Sequence, residues 1–324
     1  MQNHTASSSQ HSGIASPDAM RVAFIGFGEA ANAFVSGWRD AGIASTLTIR
    51  AYDIKTDHPD AAIANAKRAD YARAGIDGAA SLGDALRDAA LVISMVTASE
   101  ANKAARAAAT CIAPQAFYLD CNSCAPGTKR ASAQILTQSS ARYVDVAVMA
   151  PVYPKLHRTP LLVSGPHAET AIPLMQQLGF DSKIIDGDIG AASSIKMVRS
   201  IMIKGLEALV MECMLAGRKA GVDSIVLDSL EASFPGFNWR DKAAYMMERV
   251  MTHGIRRAEE LREVAKTVEE LGLDADMSHA IVDWQQRIGE LGLKSMDTGA
   301  DHAERADAIL SRLDAATSPL VRTG

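Results

Sequence analysis

Cysteine is scarce: Cys111, Cys121, Cys124 and Cys213 are the only four in 324 residues. That is too few for a disulfide-stapled scaffold, so a reducing cytoplasm is the expected home. Cys121 and Cys124 form a C-x-x-C pair, but no second pair or His-x-x-His follows to complete a zinc site. No metal is expected, and the pair reads as buried thiols or a redox couple. Long apolar runs are also missing; none reaches the ~18 residues a membrane-spanning helix needs. Nor is there an excess of positive charge. The formal net charge of −5 and a pI near 5.9 argue against nucleic acid or anionic membranes as main partners. The start, Met1 to Asp18, has no apolar stretch of the kind a secretory signal carries. Its Ser, His, Asn and Gln predict a disordered tail over residues 1–19.

What is present is the make-up of a globular protein, 48% hydrophobic and 22% charged. The length predicts two domains, because single cores stop growing near ~250–300 residues. Arg21-Val-Ala-Phe-Ile-Gly26-Phe27-Gly28-Glu29-Ala30-Ala31 reads as a strand, a glycine turn and the opening of a helix. A second strand, Thr46 to Asp53, ends on a carboxylate. The first glycine permits the turn, the second lets the backbone approach a phosphate, and Ala31 takes the place of the usual third glycine. A diphosphate fits a helix N-terminus approached this closely, and an acid closing the next strand fits a ribose diol. A nicotinamide dinucleotide is therefore expected over Gly26, Phe27, Gly28, Glu29 and Ala30, with Asp53 on the ribose. Asp53 favours NAD over NADP, although Arg50 and Lys55 leave room for a 2′-phosphate. Val96 and Thr97, after the buried run Leu91–Val96, are expected beside a cofactor ribose.

From Arg21 to about Asp188, β-branched runs alternate with helical stretches, the pattern of a mostly parallel sheet covered by helices. Strands are predicted at Leu91–Val96, Phe117–Asp120, Tyr143–Val148, Leu161–Ser164 and Lys183–Asp186. After Gly190 strand signals fade, and apolar residues recur at helical spacing from Ala191 to Ala220. Later helices are predicted over Asp241–Met251, Gly254–Leu271, Ser278–Leu291 and His302–Ala315, with an aromatic loop at Ser233–Asn238. The fold class predicted is α/β: a Rossmann-type domain over 20–188, then an all-α domain over 189–324 joined by a long interdomain helix. The methionines of the helical part read as core filler.

Three further segments stand in order: Asp120-Cys-Asn122-Ser123, Met149-Ala150-Pro151-Val152-Tyr153, and Gly190-Ala-Ala-Ser-Ser-Ile-Lys196-Met-Val-Arg199-Ser200. With the glycine turn they resemble the β-hydroxyacid dehydrogenase family, which includes 6-phosphogluconate and 3-hydroxyisobutyrate dehydrogenases. The resemblance covers roughly Arg21 to Gly221. The stretch from His253 to Glu263 is similar to a branch with a C-terminal domain of unknown function.

The resemblance implies hydride transfer between NAD(P) and the carbinol of a hydroxy acid. Lys196 would be the general acid/base, with Asn122, Ser123 and Ser200 as its catalytic companions. Met149, Ala150, Pro151, Tyr153, His253 and Arg256 would contact substrate. By spacing, His253, Arg256 and Arg257, at i, i+3 and i+4, share one helix face, which reads equally as a cationic surface for a substrate carboxylate, a solvated face or an interhelical salt-bridge set. Ile203 stands where 6-phosphogluconate dehydrogenases carry a glutamate, so decarboxylation is not expected. Tyr153-Pro154-Lys155 and Ser200 depart from the family pattern. Alternatives are a ketone, aldehyde or imine reductase, a non-catalytic dinucleotide sensor, or Lys196 held in a salt bridge. A homodimer is expected.

Overall fold

The computed structural model of the chain describes residues 19–317. The predicted tail, apart from its last residue, lies outside the described residues. Two compact units emerge. The first comprises the sequence up to Val96 together with Asn102–Cys121 and Ser132–Ile184. The second gathers Thr97–Ala101, Asn122–Ala131 and the chain from Ile185 onward.

The first unit is built on eight strands: β1 Met20–Ile25, β2 Leu47–Tyr52, β3 Asp77–Gly78, β4 Leu91–Ser94, β5 Phe117–Asp120, β6 Arg142–Val148, β7 Leu161–Ser164 and β8 Ser182–Ile184. They lie in the order β3-β2-β1-β4-β5-β6-β7-β8. All pairings are parallel except β6 with β7, which run antiparallel with Asp145 opposite Ser164. β4 and β5 are buried at every position. That is why they appear in the sequence as unbroken apolar runs rather than alternating ones. The connecting helices are α1 Glu29–Asp40, α2 Ala61–Ala74, α3 Leu82–Leu86, α4 Ala101–Ala109, α5 Pro126–Thr137 and α6 Ala168–Gln177. The first turns of α5 group with the second unit. At the centre of this core Phe180 packs edge to face on Phe34 and Trp38, and Phe24 packs tilted against Trp38. The indole N–H of Trp38 is satisfied by the carbonyl of Leu178 at 2.8 Å.

The second unit is helical: α7 Ala191–Ala220, α8 Asp223–Ser233, α9 Trp239–Glu270, α10 Asp276–Glu290 and α11 His302–Thr317. α7 has the predicted bounds, and Gly221 closes it in the left-handed conformation at φ +71°. Met211, Met214, Met247 and Met251 are buried in one apolar cluster, and Met197 in another. Met202 instead lies on the surface.

Two expectations need correction. α8 was not foreseen. The predicted break between Met251 and Gly254 does not exist either, because α9 runs for 32 residues without interruption. Gly254 is a packing position, not a stop. A Cβ there would strike the carbonyl of Gln285 and lie 2.9 Å from Cα of Gly289 in α10. Two facing glycines let α9 and α10 cross at backbone contact.

Candidate active site

In the first unit the sheet reverses direction of growth at β1, whose neighbours are β2 and β4. Ligands of open α/β sheets bind outside the carboxyl ends of strands at such a point. Gly26 sits there with φ +80°; a Cβ would lie 2.6 Å from the carbonyl oxygen of Met95 and 2.8 Å from Cγ1 of Val96. Only glycine fits. Gly28 has nothing within 4 Å of where its Cβ would be, and it opens α1 with no side-chain cap. The first N–H groups of α1 are thus left for an incoming acceptor. Gly28 and Glu29 are exposed and Ala30 is half-buried.

Asp53 locks this turn. Its Oδ2 accepts the N–H of Phe27 at 2.9 Å, and its Oδ1 accepts the N–H of Lys55 at 2.9 Å. A carboxylate has about four acceptor positions, so a ribose diol can still donate to it. Lys67 completes the clamp, its Nζ donating to the carbonyl of Phe27 at 2.6 Å and to Asp70 at 2.8 Å. The Phe27 side chain itself is buried against Phe24 and Tyr71. Phe27 therefore offers a ligand only its backbone. Lys55 and Thr97 are exposed, and Val96 is half-buried. The glycine turn, the uncapped helix and the half-used carboxylate fit a dinucleotide.

Also in the first unit, Met149 follows β6 and its N–H donates to the carbonyl of Pro160 at 3.0 Å. Ala150, Pro151 and Tyr153 are exposed, while Val152 is buried.

The remaining candidates belong to the second unit. Lys196, two turns into α7, points its ammonium at Ser123, Nζ donating to Oγ at 2.6 Å. Asn122 beside it is buried. The N–H of Cys124 returns to the carbonyl of Asn122 at 3.0 Å, closing a tight turn. Ser200 donates to the main-chain oxygen of Lys196 at 2.8 Å, a back-bond one helical turn long. Its hydroxyl hydrogen is therefore engaged by the helix.

Near Lys196 lies a charged set in which Arg256 was expected from the sequence and Glu260 was missed. Glu260 of α9 accepts from Lys204 at 2.7 Å and pairs with Arg256 at 3.5 Å. Burial pushes the Glu260 carboxyl up, but the charges of Lys204, Lys196 and Arg256 together outweigh this and hold it at about 2. Burial pulls the Lys204 ammonium down, with Glu260 opposing. The face predicted for His253, Arg256 and Arg257 resolves toward its salt-bridge reading. Arg257 turns inward to a buried ion pair with Glu207, Arg256 stays at the surface on Glu260, and His253 is half-buried.

No disulfide joins the cysteines; Cys121 and Cys124 are buried, Cys111 and Cys213 half-buried. Among the described residues no group of His, Cys, Asp and Glu is arranged to hold a metal ion, and no helix is long and apolar enough to cross a membrane.

Comparison with known proteins places these features. Residues 218–288 match a domain of unknown function. A conserved hypothetical protein from Sinorhizobium meliloti is 33% identical, with a TM-score of 0.68 over 90% of this chain and 96% of its own. A conserved protein of unknown function, described as structurally similar to 3-hydroxyacid dehydrogenases, is 28% identical. Its TM-score is 0.64 over 84% of this chain and 97% of its own. The 3-hydroxyisobutyrate dehydrogenase of Mycobacterium tuberculosis shares the fold at 17% identity, with a TM-score of 0.66 over 90% of this chain and 99% of its own. Residues 21–184 match the NAD binding domain of 6-phosphogluconate dehydrogenase, and the chain belongs to the family defined by that domain.

Proposed function

We propose that the protein is an NAD(P)-dependent oxidoreductase that interconverts a hydroxy acid and the corresponding carbonyl compound, with Lys196 as general acid/base. The observation that carries this reading is the 2.6 Å contact between Lys196 Nζ and Ser123 Oγ, in a chain with the NAD binding domain of a dehydrogenase family. The relative described as similar to 3-hydroxyacid dehydrogenases supports the substrate class.

When bound, the nicotinamide accepts or returns a hydride at carbon. With its amine neutral, Lys196 takes the hydroxyl proton and becomes the ammonium as the carbinol C–H bond breaks and the C=O bond forms; in the reverse direction the ammonium gives that proton back. General acid–base catalysis of this kind contributes about 10²–10⁴-fold. Ser123 orients the amine and offers its hydroxyl to the substrate oxygen, while Asn122 lines the same turn. Arg256 is the cation available to a substrate carboxylate, since it lies 3.5 Å from Glu260, a loose pair that an incoming anion can displace. Met149, Ala150, Pro151 and Tyr153 remain candidate substrate contacts. Ile203 has no proton to give an enediol, so the reaction stops at oxidation. NAD is the preferred dinucleotide because Asp53 would stand against a 2′-phosphate.

We also propose a homodimer formed through α7. Ile195, Val198, Met202 and Leu209 are exposed on that helix, and the seven-residue steps from 195 to 202 to 209 align them as a helix-pairing seam. The reading as a whole is tested by incubating the protein with NAD and a set of short hydroxy acids. NADH absorbance should grow with at least one; binding of NADH without any turnover would leave only a dinucleotide sensor.

A further inference from the structure

α9 carries Glu259, Glu263, Lys266 and Glu270 at steps of four, three and four residues, which places them along one helix face. All four side chains engage the two short segments of the second unit that follow β4 and β5. Ser99 Oγ donates to Glu259 Oε1 at 3.0 Å and lies 3.1 Å from the hydroxyl of Thr97. The N–H of Ala125 donates to Glu263 Oε2 at 2.7 Å, and Thr128 Oγ1 donates to the same oxygen at 3.2 Å. The N–H of Gly127 donates to Glu270 Oε2 at 2.9 Å. Lys266 Nζ donates to Thr128 Oγ1 at 2.7 Å.

The start of α5 therefore receives two carboxylates on N–H groups that no helical carbonyl can satisfy. Such charge-assisted bonds are roughly twice as strong as neutral ones, and negative charge is favoured at a helix N-terminus. A Cβ on Gly127 would collide with the Glu270 carboxylate, so glycine leaves the room that carboxylate needs to reach the Gly127 amide. Ser123 stands only two residues before Ala125, across the turn closed by Cys124.

We infer that Glu263, flanked by Glu259 and Glu270, is a positioning residue: it fastens the Asn122–Ala131 segment to α9 and so sets Ser123 Oγ against Lys196. This gives the domain of unknown function a task in catalysis, holding the catalytic turn from a helix far along the chain. The catalytic part of the inference rests on the dehydrogenase reading; the anchoring part does not.

The test uses the full chain with Glu263→Ala and the isosteric Glu263→Gln, which keeps an oxygen acceptor. Amide hydrogen exchange over residues 122–131 and steady-state kinetics are measured on both. In Glu263→Ala, exchange across the segment should rise roughly tenfold or more. kcat should fall on the order of 10–100-fold, with KM for the dinucleotide changed less than about twofold. Glu263→Gln should recover most of both losses. Wild-type exchange in Glu263→Ala, or a loosened segment with unchanged kcat, overturns the inference. A wild-type protein that oxidises no hydroxy acid overturns the dehydrogenase reading instead, while the exchange measurement still decides whether Glu263 anchors the segment.

Discussion

Lys196 and Ser123, 73 residues apart in the chain, meet with Nζ 2.6 Å from Oγ. One comes from the second turn of α7 and the other from the turn after β5. A lysine held in this way has a fixed direction for its proton, unlike an ammonium free to sweep through water. Orientation of this kind is what converts an ordinary amine into an acid–base catalyst.

The two glycines of the phosphate turn should respond differently to the same change. Gly26→Ala forces a Cβ to within 2.6 Å of the Met95 carbonyl at a φ of +80°. It should destabilise the fold by about 1–3 kcal/mol in urea unfolding. Gly28→Ala meets open space, so its stability should change by less than about 0.5 kcal/mol. Its NADH affinity should nevertheless fall roughly tenfold or more, because the methyl group fills the place where backbone approaches phosphate.

Asp53 holds the turn by accepting from both Phe27 and Lys55, and the proposed reading gives its remaining acceptor positions to the ribose. Asp53→Ala should weaken NADH more than NADPH, moving the ratio of their dissociation constants by about tenfold toward NADPH. This follows from the loss of a ribose acceptor and of a charge that opposes a 2′-phosphate. Fluorescence titration with both cofactors reads the ratio directly. An unchanged ratio would take Asp53 out of cofactor choice.

Acid should loosen the helical unit through Glu260. Its folded-state pKa of about 2 lies below the ordinary carboxylate value, so the folded form binds the proton less readily than the unfolded form. The associated stability is fully present above about pH 5 and is lost as pH falls from there through 2, on the order of 3 kcal/mol in all. Glu260→Gln should flatten that part of a stability–pH curve measured by urea unfolding. A wild-type slope retained in the variant would assign the acid sensitivity to other carboxylates.

The seam on α7 predicts a dimer mass in light scattering at micromolar concentration. Met202→Glu combined with Leu209→Glu places charge where Met202 is 72% and Leu209 57% exposed. This pair should yield monomers whose secondary structure is unchanged by circular dichroism. A monomeric wild type contradicts the seam.

Much of this architecture could be read from local pattern, because fully buried parallel strands and a long amphipathic helix leave strong marks in sequence. Six of the seven strands after β1 were legible within a residue or two and α7 to the residue, while the two-residue β3 gave no signal. Gly254 misled because a glycine inside a helical pattern looks like a stop; only the facing Gly289 explains it. α2 was passed over because its alanines and alternating charges show almost no apolar stripe. Lys196 and Ser123 were legible as members of an ordered motif set. Glu260, Glu263 and Glu270 were not, since a glutamate on a charged helix gives no sign of which distant backbone it faces. The cationic trio resolves toward its salt-bridge reading for a related reason: positions i+3 and i+4 diverge by about 100° around a helix, enough to send Arg257 inward to Glu207 while Arg256 stays outside.

The most direct measurement is turnover by Lys196→Met, a variant of similar length that carries no proton, compared with NADH binding by the same preparation. The account predicts NADH affinity within about twofold of wild type and kcat reduced by at least about 10²-fold. A variant that oxidises the hydroxy acid at the wild-type rate would contradict it.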